Sequence, residues 1–246
     1  MTRISVCMAT YNGERFIREQ IESILPQLGF DDELIVSDDA STDSTLTIIR
    51  QFADNRIRIV TNHSSRSATR NFENALHHST GDIIFLSDQD DVWFFNKVKT
   101  MMTYLHNHDL VVSDCDFIDE KGQLLGGSFF EHFHSNAGLL KNFVKNTFLG
   151  NCMAFRRTLL DRALPFPKEL HEATRYLVYQ DVWLGLLANS LFRVVFIPEK
   201  LSCFRRHANN ASPTEMTVSS PQPLGHKLFG RILLAIALLK RVSNIA

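Results

Sequence analysis

The sequence lacks a strong net charge, closely paired cysteines and any long apolar run. Its formal net charge is -1, which provides no positive field for nucleic acid, so nucleic-acid binding is not predicted. No stretch approaches the ~20 apolar residues of a membrane span, and strand character begins at Ile4, which leaves no room for a signal peptide before it. The four cysteines are widely spaced without any Cys-x-x-Cys pair, a pattern typical of buried reduced thiols. These absences predict a cytoplasmic protein.

The first half of the chain alternates short apolar runs with amphipathic helical patterns. With 246 residues, of which 44% are hydrophobic, the chain is long enough for one large α/β domain. Such an alternation of strands and helices predicts a parallel sheet covered by helices on both faces. The predicted strands are 4–9, 33–37, 57–60 and 83–86, and the predicted helices are 16–26, 46–52 and 68–78.

Three carboxylates follow the strand predicted at 83–86. Asp88, Asp90 and Asp91 lie just past its carboxyl end, which is the edge of an open α/β sheet where ligands bind. At an effective dielectric constant near 20, two such charges about 4 Å apart repel by about 4 kcal/mol. A divalent cation would relieve this repulsion, and oxygen ligands favour Mg²⁺ or Mn²⁺. The alternative interpretation is a solvated acidic turn in which Asp91 caps the next helix.

Polar residues also end two other predicted strands. Thr10 follows the first strand, and Asp38 and Asp39 follow the second. A parallel sheet would place Thr10, Asp38 and Asp88 side by side, although the sequence separates them widely. The Asp38–Asp39 pair alone would be interpreted as a turn with a helix cap, whereas its convergence with the carboxylates after the fourth strand favours a binding site.

Several short motifs follow one another in a specific order. Three of them end the strands just described, at 6–14, 37–43 and 87–93, and the last of these reads Ser-Asp-Gln-Asp-Asp-Val-Trp. Further motifs lie at 70–72, 179–183 and 206–210. Each is weak alone, but their shared order and spacing resemble the family 2 glycosyltransferases, most of all the bacterial rhamnosyltransferase-type members. The resemblance covers roughly residues 4 to 210.

This resemblance implies a fold, a reaction and partners. The fold would be α/β, with a single nucleotide-sugar-binding (GT-A, Rossmann-like) domain and a mixed, mostly parallel sheet. The domain would span 1–212, with a nucleotide-sugar-binding half at 1–95 and an acceptor-binding half at 96–212. The reaction would be inverting transfer of one sugar in bacterial surface polysaccharide biosynthesis, with Mn²⁺ or Mg²⁺ as cofactor. The partners would be a nucleotide-diphosphate sugar donor, such as dTDP-rhamnose or a UDP-sugar, and a saccharide or lipid-linked acceptor.

The resemblance also implies roles for individual residues. Asp38 would accept a hydrogen bond from the base, Tyr11 would lie near the face of that base, and Asp90 would be the direct metal ligand. Segment 150–157 resembles the family strand that floors the acceptor pocket. The implied set is Thr10, Tyr11, Asn12, Asp38, Asp39, Arg70 and Asp88 for the nucleotide, Asp88, Asp90 and His207 for the metal, Gly150, Asn151, Gln180 and Trp183 for the acceptor, and Asp181 for catalysis.

Asp181 opens a helix predicted at 181–189, and its role has two interpretations. Aspartate is a good helix cap and interacts favourably with the helix dipole. Direct inverting transfer needs a base for the acceptor hydroxyl and a cation for the leaving diphosphate, but it needs no enzyme nucleophile. With Asp90 and a metal at the leaving group, Asp181 as the base completes that set.

The chain departs from the close relatives at three points. Gln180 and Val182 stand where those relatives usually have His and Trp, so the identity of the acceptor is left open. Residues 64–67 replace a glycine-bearing segment that often precedes the third helix, which bears on the role of Arg70. The Gln-x-x-Arg-Trp motif of processive synthases is absent, so addition of one sugar is favoured over polymerisation.

The second half of the chain carries weaker signals. A strand is predicted at 110–115 and a hairpin over 117–125, whereas 126–146 show no informative pattern. The histidines at 106, 108, 132 and 134 lack carboxylate or cysteine partners at ligand spacing, so they are interpreted as ordinary loop histidines.

The composition changes after Pro213. Residues 213–223 are predicted to be a linker, and 224–246 to be a basic amphipathic helix without any acidic residue. This helix could lie on the anionic inner face of the cell membrane, or it could pack on its own domain or on a partner subunit. The sequence leaves these alternatives and the oligomeric state open.

Two other functional classes share part of this pattern. A nucleotidyltransferase would carry a glycine-rich, basic phosphate loop near the first strand, and Thr-Tyr-Asn-Gly at 10–13 is not such a loop. A non-catalytic sugar-nucleotide sensor would keep Asp38 and Asp90 without needing Asp181.

Overall fold

The computed structural model describes residues 2–62, 67–173, 178–208, 210 and 224–243. The strands are β1 (Ile4–Thr10), β2 (Glu33–Asp38), β3 (Ile57–Thr61), β4 (Ile83–Ser87), β5 (Val92–Trp93), β6 (Leu110–Ile118), β7 (Leu124–Ser128), β8 (Met153–Arg156) and β9 (Val194–Arg205). The helices are α1 (Ile17–Ile24), α2 (Thr45–Arg50), α3 (Ala68–His78), α4 (Lys97–Leu105), α5 (Phe129–Phe133), α6 (Leu139–Val144), α7 (Arg157–Ala163), α8 (Lys168–Ala173), α9 (Gln180–Leu191) and α10 (Leu224–Ser243). Short 3-10 turns lie at Leu25–Gln27 and Gly150–Cys152.

The first half forms the predicted parallel sheet. β1 pairs in parallel with β2 on one side and with β4 on the other, and β2 pairs in parallel with β3. Helix α1 buries Ile17, Ile21 and Ile24, the face that helical spacing predicts. The strands and helices predicted for this half are confirmed, with small differences at their ends.

The second half extends the same sheet with mixed pairing. β8 pairs antiparallel with both β4 and β6, while β9 runs parallel to β6 and antiparallel to β5. The strand order is β3-β2-β1-β4-β8-β6-β9-β5, and β7 pairs with β6 outside this path. The mixed sheet implied by the resemblance is confirmed. The strand implied at 150–157 is wrong in its first part, because Gly150–Cys152 forms a 3-10 turn before β8 begins.

Both faces of the sheet are buried under helices. Successive side chains of a strand point to opposite faces, and in β1 Val6 and Met8 join one hydrophobic cluster while Cys7 joins the other. The first cluster includes Ile17 of α1, and the second includes Trp183 of α9. All four cysteines are buried and unpaired with one another in disulfides, as predicted.

One edge of the sheet collects the ends of strands from both halves. β1, β2 and β4 run in the same direction and end there. Since β8 is antiparallel to β4, the turn Gly150–Cys152 that precedes it meets the same edge. β6 is antiparallel to β8 and parallel to β9, so both bring their carboxyl ends there. The residues that follow β9 therefore return to the loop that follows β4.

Helix α10 packs on the second half through its inner face. Leu233, Leu234 and Ala237 are buried, and Lys240 forms an ion pair with Glu169 of α8. Among the helices of the described ranges, none combines the length and apolar character that crossing a membrane requires. The linker predicted at 213–223 lies outside the described residues.

Candidate active site

A cavity of about 350 Å³ lies at the shared edge of the sheet. It brings predicted residues of the first half, which follow β1, β2 and β4, together with predicted residues of the second half, which precede β8 and open α9. Its lining includes Thr10, Tyr11, Asp39, Asp88 and Asp90 from the first half and Gly150, Gln180 and Asp181 from the second. Asn12, Asp38, Arg70, Asn151, Trp183 and His207 are not among the lining residues.

Gln89 links the loop after β4 to the loop after β1. Its Oε1 accepts hydrogen bonds from Thr10 Oγ1 at 2.7 Å and from the Tyr11 backbone N–H at 2.9 Å, and its Nε2 donates to the Tyr11 carbonyl at 3.1 Å. A Cβ at Gly13 would lie 2.3 Å from Gln89 Oε1, so any larger residue there would displace the Gln89 amide from these hydrogen bonds. Sequence analysis gave Gln89 no role, because a polar residue between aspartates has no signal of its own.

The two aspartates that end β2 are already hydrogen bonded within the chain. Asp38 is buried, and its two carboxylate oxygens accept from the Ser41 backbone N–H at 2.9 Å and from the Ser41 hydroxyl at 2.5 Å. Asp39 lines the cavity and accepts from the Ser67 backbone N–H at 3.0 Å, before the start of α3. Asp38 therefore shapes the turn, and its contact with a nucleotide base stays a prediction.

Two further residues predicted for the nucleotide, Asn12 and Arg70, do not line the cavity. Asn12 adopts a left-handed backbone conformation with φ of 48°, and its Oδ1 accepts from the Thr42 backbone N–H at 2.8 Å, so it joins the loops after β1 and β2. Arg70 lies on the exposed face of α3. Asn71, one position later, is buried and donates to the Thr10 carbonyl at 3.0 Å. A polar residue in phase with the apolar face of α3 was the signal that sequence analysis missed.

Asp88 and Asp90 form the acidic side of the cavity. His207 Nε2 lies 2.7 Å from Asp90 Oδ2, and both residues are buried. Burial, together with the negative charges of Asp90 and Asp181, raises the pKa of Asp88 to about 8. His207 thus contacts Asp90, while Asp88 lies near enough to Asp90 and Asp181 for their charges to oppose its ionisation.

Asp91 does not cap the next helix. Its Oδ1 accepts from the Arg205 backbone N–H at 2.9 Å, whereas α4 begins after Asn96. Burial raises the pKa of Asp91 well above its ordinary value, and the charges of Asp90 and Asp88 act in the same direction. Asp91 therefore ties β9 to the loop after β4, and the alternative of a helix cap at this position is wrong.

The donor set fits a divalent cation that also binds substrate oxygens. Within the described ranges, no three histidine, cysteine, aspartate or glutamate side chains come close enough together to hold a metal by themselves. Mg²⁺ is usually held by one or two carboxylates plus phosphate oxygens, so Asp88 and Asp90 satisfy the protein's share of such a site. A cation there would also compensate the charge that raises the pKa of Asp88.

Asp181 faces the cavity from the first turn of α9. Burial raises the pKa of Asp181 to about 6, while hydrogen bonds from the backbone N–H groups of Val182, Asp181 and Gly150 act in the opposite direction. The helix begins at Gln180 and its N-cap position is Tyr179, so Asp181 is not the helix cap. Gln180 also lines the cavity, and Thr69 Oγ1 of α3 donates to its Oε1 at 3.3 Å.

Asn151 and Trp183 are buried behind the cavity. Asn151 Oδ1 accepts from Trp93 Nε1 at 3.0 Å, and its Nδ2 donates to Ser202 Oγ at 3.2 Å. Trp183 lies in the core and donates from Nε1 to the Ala163 carbonyl at 3.3 Å. Both side chains support the second half of the chain from within, and direct contact of either one with an acceptor stays a prediction.

Comparisons with known proteins agree with this architecture. The family model described as Glycosyl transferase family 2 matches residues 5–164. WfgD of Escherichia coli, named UDP-Glc:alpha-D-GlcNAc-diphosphoundecaprenol beta-1,3-glucosyltransferase, is 28% identical over 193 residues, which cover 76% of this chain and 70% of WfgD. RfbG of Shigella flexneri, named dTDP-rhamnosyl transferase, is 38% identical over 105 residues, which cover 40% of this chain and 36% of RfbG.

Solved structures share the fold. Staphylococcus aureus TarS in complex with UDP has a TM-score of 0.70 at 21% identity, covering 96% of this chain and 65% of that chain. The mannosyltransferase PcManGT from Pyrobaculum calidifontis, in complex with GDP-Man and Mn²⁺, has a TM-score of 0.64 at 21% identity, covering 85% and 59%. At these identities the likeness establishes the GT-A fold alone. The chain spans less than two thirds of RfbG, TarS and PcManGT.

Proposed function

This chain belongs to glycosyl transferase family 2, and from that membership we propose that it adds one sugar, with inversion, from a nucleoside diphosphate sugar to a hydroxyl of a saccharide or lipid-linked acceptor. The process served would be bacterial surface polysaccharide assembly. One observation carries the proposal: a single cavity is lined by Asp88 and Asp90 on one side and by Asp181 on the other. Such a cavity can hold a leaving diphosphate and an attacking hydroxyl at once.

Asp181 is the proposed base. As the acceptor oxygen attacks the anomeric carbon and the bond to the diphosphate breaks, Asp181 takes the hydroxyl proton. Direct displacement from the opposite face inverts the configuration, so the enzyme needs no nucleophile of its own. With its pKa raised to about 6, the carboxylate is still mostly ionised at neutral pH and binds a proton more strongly than an ordinary aspartate does.

The other side of the cavity binds the donor. Thr10, Tyr11 and Asp39 line the part of the cavity that follows β1 and β2, where the nucleoside is proposed to lie. Asp90, with Asp88 and His207 beside it, would hold Mn²⁺ or Mg²⁺. When bound, that cation supplies positive charge to the leaving diphosphate.

The relatives favour a donor with a pyrimidine base. WfgD is named for UDP-Glc and RfbG for a dTDP-rhamnosyl group, and TarS was solved with UDP. Uracil and thymine present the same hydrogen-bonding edge, so one site accommodates both. WfgD is also named for a diphosphoundecaprenol-linked acceptor, which supports a lipid-linked acceptor here.

Slow hydrolysis of candidate donors tests this proposal. The full chain is incubated with Mn²⁺ and, separately, UDP-glucose, UDP-N-acetylglucosamine, dTDP-rhamnose and GDP-mannose, and the release of free nucleotide is followed. We expect release from at least one uridine or thymidine donor and faster release when a suitable acceptor is added. Tight binding without release would favour a sensor, and absence of both binding and release would contradict the proposed function.

The outer face of α10 is proposed to bind an anionic bilayer. Five large apolar side chains recur along the helix at helical spacing and are exposed: Leu228, Phe229, Ile232, Ile236 and Leu239. The helix contains lysines and arginines but no aspartate or glutamate, which suits a negatively charged surface. Contact with the membrane would bring the cavity close to a lipid-linked acceptor.

Vesicle sedimentation tests the bilayer proposal. A triple variant with Leu228→Gln, Ile232→Gln and Leu239→Gln removes exposed apolar groups and leaves the buried face intact. Full-length protein should sediment with phosphatidylglycerol vesicles, and the triple variant should not. Leu124→Gln, an equally exposed residue of β7, is the matched control and should behave as the parent does. Self-association that depends on the same three residues, without vesicle binding, would instead assign this face to a second copy.

A further inference from the structure

Lys97 is a charged residue in the interior of the protein. Its side chain, in the first turn of α4, is fully buried. Nζ donates to the Asn151 carbonyl at 2.6 Å and to Ser202 Oγ at 3.3 Å, and it lies 4.7 Å from the centroid of the Trp93 ring. Among the ion pairs of the described residues, none includes Lys97.

Burial of such an ammonium group opposes folding. Buried charges are normally paired, because removal from water disfavours the charged form. Burial accordingly lowers the pKa of Lys97, although Asp91 and Asp88 act in the opposite direction from a distance. An apolar side chain would fill the same space without this cost, so packing alone does not explain a lysine here.

The group held by Lys97 belongs to the turn that contributes Gly150 to the lining of the cavity. Asn151 lies in the 3-10 turn Gly150–Cys152, and its side chain is fixed on both sides by Trp93 and Ser202. Gly150, the residue of that turn directly before Asn151, lines the cavity. A Cβ built on Gly150 would lie 3.8 Å from Asp181 Cβ.

The turn also acts on Asp181 directly. The Gly150 backbone lies against Asp181, as the 3.8 Å from a Cβ at Gly150 to Asp181 Cβ shows, and the Gly150 N–H opposes the effect of burial on the pKa of Asp181. A continuous path of contacts therefore leads from the buried ammonium group through the Asn151 backbone and the Gly150 backbone to the proposed base.

We propose that Lys97 is a positioning residue for the transfer reaction: its hydrogen bond to the Asn151 carbonyl fixes the Gly150–Cys152 turn in its place against Asp181. This inference rests on the proposed role of Asp181. Lys97 does not line the cavity; it acts on Asp181 through the turn, and its charge also lowers the pKa of Asp88.

Lys97→Met tests the inference, because methionine fills a similar volume without charge or donor. We expect kcat for transfer to fall about 10- to 100-fold, the range seen when a supporting contact is lost. Nucleotide affinity should hardly change, because Gln89 and Asp39 lie on other elements. The acid limb of the pH profile of kcat should move to higher pH, because the ionised Asp181 carboxylate loses support. Asp88 and Tyr179, which interact electrostatically with Asp181, are not substituted, but loss of the Lys97 charge also raises the pKa of Asp88, so the acid limb is compared at saturating Mn²⁺.

Controls separate positioning from a general loss of stability. Lys99→Met makes the same change at an exposed site on α4 and should leave kcat and the pH profile as in the parent. Lys97→Gln, which keeps a donor, is measured in the same way and carries the test if the methionine variant does not fold. Its kcat should fall less than that of Lys97→Met.

Two outcomes distinguish this inference from the proposed function. If Asp181→Asn transfers at the parental rate, the assignment of the base is wrong. If Asp181→Asn is slow while folded Lys97 variants keep the parental kcat and acid limb, only the positioning role is overturned. A lower melting temperature with reduced nucleotide affinity and an unmoved acid limb would also overturn it, because these are the effects of a merely structural residue.

Discussion

The two sides of the cavity are held in place in different ways. On the donor side, the loops after β1, β2 and β4 are joined to one another by their own side chains, as when Gln89 bonds Thr10 and Tyr11. On the acceptor side, the Gly150–Cys152 turn is held by buried side chains: Lys97 donates to the Asn151 carbonyl, and Trp93 donates to the Asn151 side chain. Substitutions on the donor side should therefore change nucleotide affinity, whereas substitutions on the acceptor side should change the rate of transfer.

Asp181→Asn should produce the largest effect on the acceptor side. Loss of a general base slows transfer by about 10²- to 10⁴-fold. Donor affinity should hardly move, and the melting temperature should not fall, because the amide keeps the shape and burial already disfavours the ionised carboxylate. The measurement is the transfer rate beside nucleotide affinity and melting temperature. A variant that melts and binds normally yet transfers at near the parental rate would remove Asp181 from the mechanism.

Asp90→Asn should produce the largest effect on the donor side. The proposed direct metal ligand is lost while the fold is kept, so nucleotide affinity in Mn²⁺ should fall about tenfold or more, equivalent to ~1.4 kcal/mol. Calorimetry with and without Mn²⁺ measures this. Asp161→Asn, an exposed aspartate of α7, is the matched control. Unchanged affinity in the presence of Mn²⁺ would contradict the metal assignment.

At saturating Mn²⁺, which compensates the charge around Asp88, the pH dependence of kcat should report Asp181 on the acceptor side. The base works only when ionised, and the pKa of Asp181 is raised to about 6, so the rate should rise with pH through this value and level off above it. At pH 5 about one tenth of the carboxylate is ionised, so kcat should be about tenfold below its plateau. Asp181→Asn should lose this limb. An acid limb that persists unchanged in the variant would assign it to another group.

Gln89→Ala should give the smallest effect, confined to the donor side. It removes the bonds to Thr10 and Tyr11, so the free energy of unfolding should fall by about 1–3 kcal/mol and nucleotide affinity should weaken severalfold, with kcat nearly kept. Denaturant unfolding and calorimetry measure the two effects. Gln123→Ala, at an exposed loop position, is the control. A fall in kcat without a change in affinity would contradict the division between the two sides.

The donor side could be predicted from sequence because its geometry follows from local patterns. Each strand there is a short apolar run, and parallel pairing brings Thr10 next to Asp38. The roles of individual residues were harder to predict. On α3, for example, Asn71 is buried and Arg70 is exposed. Arg70 and Asn71 are consecutive residues, and one residue turns the helix by about 100°. The phase of α3 must be known to that precision before the sequence indicates which of the two side chains is buried.

The acceptor side could not be predicted to the same extent because it depends on contacts between distant segments. β9 was not predicted, since Pro198 and two charged residues interrupt its apolar run and its pairing with β6 changes register. Lys97 lies in phase with buried Val98 and Met101, yet a lysine alone indicates a solvated position. Its burial follows only from the turn and from Ser202 of β9, which the fold brings to it.

The spacing of the strands sets the distance between the two sides of the cavity. β1, β4 and β8 are successive neighbours, and adjacent strands lie about 4.8 Å apart. The end of β1 and the start of β8 are therefore about 10 Å apart at the edge of the sheet that carries the cavity. Hydrogen bonding between the strands keeps this distance constant. A different sugar or acceptor must therefore be accommodated by side chains that line the cavity, and libraries that aim to change selectivity should vary the partly exposed Leu149 and Tyr179 and leave the backbone as it is.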